Sequence, residues 1–264
     1  MVDPVNLRNL AWAITTLFEI VLFAYILRRK VHRSHPAFAL YSVTVLLQGV
    51  VVAVAYRVLG TESMRYFNIA WGAQAVVVCV RWLAVTEITR RVLAEYSGIW
   101  RLTSRILVIV AAFILVYSIV VSDMRWDQVI TSADRAVELC LAVFIVCMFL
   151  FARYYRLAIA SLERQLAIGF CLFSCFWVIN NSIYQHWGRS ATTLWEVLSI
   201  FSFLASLLIW TNAVRLATEA QESAARSPVR VSPQQYAELS QRLDSRLQLL
   251  NNRLNRLLRS EDSR

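Results

Sequence analysis

Seven stretches of mostly apolar residues recur along the chain, at about 10–27, 37–59, 67–89, 102–121, 137–152, 166–184 and 192–214. Each is close to the roughly 20 residues that a helix needs to cross a hydrocarbon core about 30 Å thick. In lipid a lone segment must satisfy its own backbone, which selects helices. The pattern predicts an all-α integral membrane protein, a seven-transmembrane helix bundle. The fifth stretch is short and is expected to continue outward through the polar segment beginning near Asp127. No proline lies in any stretch and the only glycines there are Gly49, Gly72 and Gly169. Continuous helices are therefore expected, which disfavours transport mechanisms built on broken ones. Every connection is short, so successive helices are expected to pack as antiparallel neighbours in one bundle.

After the seventh stretch the helix is expected to run on through ATEAQESAA and to break near Pro228. A new helix is signalled by Ser232 as N-cap, Pro233 in the first turn and Gln235 three residues after the cap. From there Leu243, Leu247, Leu250, Leu254 and Leu257 alternate spacings of four and three, the seam of a coiled coil. Arg242, Arg246, Arg253, Arg256 and Arg259 flank those leucines and equally suit an amphipathic helix lying on anionic lipid. The chain thus divides into a transmembrane domain (1–215), a linker (216–231) and an amphipathic helix (232–264). Through that last helix a homo-oligomer or a cytoplasmic protein partner is expected.

Composition sharpens this picture. Apolar residues make up 58% and charged residues 17%, whereas soluble domains carry about a quarter charged. The net charge of +10 is a topology signal, because cytoplasmic loops are enriched in Lys and Arg. Placing the loops after the first, third and fifth stretches and the tail inside puts 20 basic residues there and six outside. The expected orientation is N-terminus outside and C-terminus cytoplasmic. The segment MVDPVNLRN has no basic cluster or small-residue cleavage site, so it is not expected to be a cleaved signal peptide. Charge spread over short loops and a tail suits anionic lipid, so the partner is the lipid bilayer and not nucleic acid. Twenty-six Arg against one Lys suggests a GC-rich bacterial genome and hence a bacterial inner membrane. By architecture alone the arrangement is similar to the membrane sensor regions of some bacterial signalling proteins, without their kinase or cyclase domain.

Several chemistries lack their residues. The one lysine, Lys30, lies in a loop, which excludes a retinal Schiff base in the last helix. His32, His35 and His186 fall outside the stretches, so neither haem nor zinc is expected. The five cysteines are expected to pack as small apolar residues. No G-x-S-x-G elbow, phosphate loop or dinucleotide fingerprint occurs. The chain is expected to be non-enzymatic and without a cofactor.

Two sets of polar residues lie at a cost in these stretches. Glu19 and Arg81 are deep by position, and pairing across the bundle is the natural resolution. Gln74, seven residues before Arg81, shares its side of the helix. Glu87 is close enough to Arg90 and Arg91 to pair at helical spacing. Towards the outer ends come Arg57, Asp134, Arg135, Glu138, Asn180, Asn181, Tyr184 and Glu196. Ser174, Trp177, Asn181 and Tyr184 share one face, as do Thr192, Glu196, Ser199 and Ser206. Converging, these faces form an outward-open polar pocket with Arg57 as counter-ion; left apart, they are a wet interface. The expected role is a receptor-like or scaffold subunit engaging a cytoplasmic partner. The alternative is a small transporter or channel using Glu19, Arg81 and Gln74.

Overall fold

The computed structural model describes the backbone of residues 4–60, 63–93, 96–121, 126–155, 157, 159–187, 192–226 and 248–249. Side chains are described for 12–60, 63–93, 96, 98–120, 133–155, 157, 159–183, 197–216 and 248–249. Among these residues every regular element is helical: α1 (Pro4–Arg28), α2 (Val31–Ser34), α3 (Pro36–Leu59), α4 (Met64–Val92), α5 (Ser97–Val121), α6 (Trp126–Tyr154), α7 (Ser161–Trp187) and α8 (Thr192–Arg226). Six of them, α3 to α8, are long and apolar enough to cross a membrane. The chain is a multi-pass helical protein of the membrane type. The remaining long helix, α1, spans 25 residues.

The helix ends follow local chemistry. Lys30 adopts the left-handed conformation (φ 55°) and turns the chain from α1 into the single turn of α2. Pro36 occupies the first turn of α3, where a missing N–H costs nothing. Gly60 closes α3 at φ 71°, a backbone conformation open to glycine, and its N–H donates to the Tyr56 carbonyl at 3.0 Å. Ser63 caps α4, its Oγ accepting from the Arg65 N–H at 3.3 Å. The fifth apolar stretch starts at residue 137, and the helix that carries it runs outward through the polar segment to Trp126, as expected from the shortness of that stretch. Asp134 and Glu138 lower the local hydropathy without breaking the helix.

The helices form a ring in the order α1, α3, α4, α6, α7, α8, closed by α8 against α1, with α4 also touching α7. α5 stands outside the ring, packed mainly on α6. Chain order is therefore broken once, where α4 meets α6 past α5. The two ends of the bundle differ: the α2 end carries the α1–α3 junction, and the opposite end carries Gly60. On α5, Val108, Ile109, Phe113, Val116 and Val120 are exposed, and Val58 of α3 and Leu150 of α6 are similarly bare. Exposed apolar side chains around the whole girdle are the surface that a bilayer covers.

Inside the ring, the region toward the α2 end is filled by Phe38, Tyr41, Phe170 and Trp210, all at most 2% exposed. Their rings meet edge-on or tilted, with centroids 4.7–6.2 Å apart. Trp210 lies against the backbone of α7 and donates its indole N–H to the Leu166 carbonyl at 3.2 Å. Gly169 makes this approach possible, because a Cβ there would run into Nε1 and lie 2.7 Å from Cδ1 of Trp210.

Candidate functional site

Buried polar groups of α4, α6 and α7 assemble in two tiers. The midpoints of these helices fall at residues 78, 140 and 174, from ranges Met64–Val92, Trp126–Tyr154 and Ser161–Trp187. The deep tier is Arg81, Glu138 and Ser174, each within three residues of its helix midpoint and so within about 5 Å of it along the axis. Arg81 Nη1 forms an ion pair with Glu138 Oε1. Ser174 Oγ donates to the other carboxylate oxygen, Oε2, at 2.5 Å. Arg81 is 4% exposed, and Glu138 and Ser174 are fully buried. The guanidinium carbon also sits 4.5 Å from the Phe173 ring centroid and 5.7 Å from that of Tyr41. A buried cation is thus met by one carboxylate and two aromatic faces.

One to two turns toward the Gly60 end lies the second tier. Gln48 Nε2 donates to Gln74 Oε1 at 2.7 Å, and Gln74 Nε2 donates to Asp134 Oδ1 at 3.3 Å. The Trp177 indole N–H donates to Asp134 Oδ2 at 3.0 Å. Each carboxylate oxygen of Asp134 thus has a donor, and the carboxylate lies in the fields of Arg81 and Arg135. Farther along, Asn180 Nδ2 donates to Ser199 Oγ of α8 at 2.5 Å. Helical spacing explains the tiers. Gln74 and Arg81 are seven apart, Asp134 and Glu138 four apart, and Ser174 and Trp177 three apart, so each helix presents both tiers on one face.

Several sequence expectations meet different partners. Arg81 pairs with Glu138 rather than Glu19, because α6 packs against α4 whereas α1 packs against α3 and α8. Glu19 is buried on α1, and among the described residues it has no hydrogen bond or ion pair. Asp134 and Glu138 are core groups rather than rim groups, at 5% and 0% exposure. Arg57 is exposed and stands apart from both tiers. Asn180 is the buried member of its pair, and Asn181 is half-buried with a polar partner of its own. Ser206 bonds back to its own helix, donating to the Ser202 carbonyl at 3.0 Å. The side chains of Tyr184 and Glu196 lie outside the described residues. So do Leu243, Leu247, Leu250, Leu254 and Leu257 and the rest of 232–264, apart from residues 248–249, which are helical and exposed.

At the α2 end two further contacts went unforeseen. Glu87 Oε2 accepts from the backbone N–H groups of Ala37 and Phe38 at 3.0 and 3.1 Å. It thereby caps α3 from α4 instead of pairing with Arg90 or Arg91. A carboxylate suits that position because the first N–H groups of a helix have no partner within it. His35, 2% exposed, places Nε2 3.3 Å from Glu163 Oε1 of α7, with Ser34 Oγ 3.0 Å from Nδ1. The α2–α3 junction is thus held to α4 and α7 by two carboxylates. The available signals were Gln48, the one amide in its apolar stretch, and the four-residue spacing of Asp134 and Glu138.

Among the described residues the five cysteines are free, and no three His, Cys, Asp or Glu side chains converge in a metal-holding group. A shallow, open apolar groove of about 390 Å³ lies between α3 and α4, lined by Val50, Val51, Val54, Val58 and Ile69, away from the polar tiers. Hydrogen-bonded tiers inside continuous helices can hold charge and fix register, and they can exchange partners with a polar ligand. No protein-family model, curated protein or solved structure matches the chain.

Proposed function

We propose that the protein is a non-enzymatic, receptor-like membrane subunit with seven transmembrane helices, its N-terminus outside and its C-terminus in the cytoplasm of a bacterial cell. The observation that carries this reading is the axial asymmetry of the ring. From mid-depth to the Gly60 end the interior is polar, through Arg81–Glu138–Ser174, Gln74–Asp134–Trp177 and Asn180–Ser199. From mid-depth to the α2 end it is closed by Phe38, Tyr41, Phe170 and Trp210. Short basic connections lie on the closed end, and in this orientation they face the cytoplasm. A polar interior toward the outer end, sealed toward the inside, favours recognition over conduction. In this reading α1 crosses the bilayer with the other six long helices, and residues 232–264 carry the signal to a second copy or a cytoplasmic protein.

The test has two arms. Native mass spectrometry of protein extracted with gentle detergent reads bound small molecules, and the same preparation lacking residues 232–264 reads self-association and partner capture. The reading expects a retained polar ligand that Gln74→Ala loses, and an assembly that the truncation abolishes. A ligand-free bundle whose assembly is unchanged by the truncation overturns it.

A second reading, a small transporter, draws on one observation, the unpartnered Glu19 beside the core. It expects pH-dependent flux in liposomes that Glu19→Gln eliminates, and it fails if the parent protein shows no flux.

A further inference from the structure

Among the described side chains, one carboxyl inside the ring has no cation facing it. Arg81 pairs with Glu138, and the charges of Arg81 and Arg135 both reach Asp134, so each carboxylate of α6 in the ring has a cation in its field. The third carboxyl is Glu19 of α1, and it is left over. Its direction is fixed by its helix: Glu19, Leu22 and Ile26 recur at three and four residues and are 9%, 2% and 0% exposed. Leu17 and Ile20, to either side, are 59% and 52% exposed. Glu19 therefore points into the ring. There its charge reaches Tyr41 of α3, which the charges of Arg81 and Asp134 also reach. Among the described residues no hydrogen bond or ion pair holds the Glu19 carboxyl. Among the described side chains of α8 (197–216), the other neighbour of α1, Arg215 is the one titratable group, and it is exposed.

A carboxylate left ionised and unpaired at this depth is disfavoured, and groups of this kind in membrane helices are by default functional. A metal cation would need a cage of oxygen ligands around Glu19, and among the described residues no such group converges there. A hydrogen ion needs neither cage nor cavity. We propose that Glu19 is a proton-binding site of the bundle, taking one hydrogen ion from water to become a neutral carboxylic acid on the inner face of α1. No other bond is made or broken. The ligand is the hydrogen ion, and release of the proton places a negative charge on the inner face of α1. That charge is drawn toward the Arg81 side of the ring, so the seat of α1 against α3 and α8 depends on occupancy. The inference rests on α1 crossing the bilayer, not on the receptor-like role.

A hydrophobic carbodiimide tests this on the unaltered protein in lipid nanodiscs, because it adds covalently to protonated carboxyls in an apolar environment. Peptide mass spectrometry is expected to find the adduct on Glu19 at neutral pH, with Asp134 and Glu138 unmodified. Its yield should fall about tenfold for each pH unit beyond the midpoint of proton release. Infrared spectra of Glu19→Gln should lack the protonated-carboxyl band of the parent, and those of Asp134→Asn should keep it. An unmodified Glu19, a yield independent of pH, or a band that survives Glu19→Gln overturns the proposal. None of these outcomes bears on ligand retention or on the tail, so its failure is distinguishable from that of the receptor-like reading.

Discussion

Replacing Arg81 with Met removes the cation from the deep tier while keeping the length and apolar bulk of the side chain. Glu138, fully buried, would then retain only the Ser174 hydroxyl as a donor. Removing one partner of a buried ion pair costs about 3–5 kcal/mol, most of it the penalty of stranding the other charge. The contacts of the guanidinium with Phe173 and Tyr41 add roughly 0.5–2 kcal/mol. Protonation of the stranded Glu138 limits the loss, so Arg81→Met is expected to cost about 3–4 kcal/mol. Glu138→Leu strands the guanidinium instead, and the aromatic faces compensate part of the loss, giving about 2–3 kcal/mol. In the double variant nothing is stranded, and replacing a whole buried pair by apolar groups is often neutral or stabilising by about 1–4 kcal/mol. A double-mutant cycle measured by reversible denaturation in mixed micelles should therefore give a coupling of at least about 5 kcal/mol. Two single losses below about 1 kcal/mol that simply add in the double variant would refute the reasoning, because the pair would then be solvated.

Gly169→Ala drives a Cβ into the Trp210 indole, which is already fixed by its bond to the Leu166 carbonyl. The expected destabilisation is about 1–3 kcal/mol, largely relieved by adding Trp210→Leu, and thermal unfolding of the two proteins checks it. Glu87→Gln replaces a charged cap on the first turn of α3 by a neutral one that donates as well as accepts. A loss of about 1 kcal/mol is expected, and faster amide exchange at Ala37 and Phe38 than elsewhere in α3 should accompany it. Phe113→Arg places a charge on the exposed face of α5 and should cost about 2.5–3.5 kcal/mol in an insertion assay. Thr103→Arg, half-buried six residues from the start of α5, should cost less than half as much. Equal costs would remove α5 from the lipid.

The helices were largely legible in the sequence because length and apolar content are what a membrane crossing demands. Starts and stops were legible where chemistry marks them, as at Pro36 and Gly60. The outward extension of α6 to Trp126 was legible too, because its apolar stretch alone is too short to span. The cost of Arg81 in the interior was also legible, but its partner was not. Hydropathy carries no information on which helices become neighbours, and here α4 passes over α5 to meet α6. The carboxylate that answers Arg81 is therefore 57 residues away, counting from Arg81 to Glu138, on a helix two further along the chain. His35 was legible only as a loop residue, since its burial follows from α2 folding the junction back onto α7.

A receptor-like role requires the polar half of the ring to face outward and the aromatic half to face the cytoplasm. The direct measurement is labelling of single cysteines in intact cells by an impermeant maleimide, with Cys79, Cys140, Cys147, Cys171 and Cys175 replaced by alanine. Cysteines introduced at Asp3 and Gly60 are expected to label in intact cells, while those at Arg33 and Arg90 label only after permeabilisation. Labelling of Arg33→Cys and Gly60→Cys from the same side, or of Arg90→Cys but not Gly60→Cys from outside, would contradict the account.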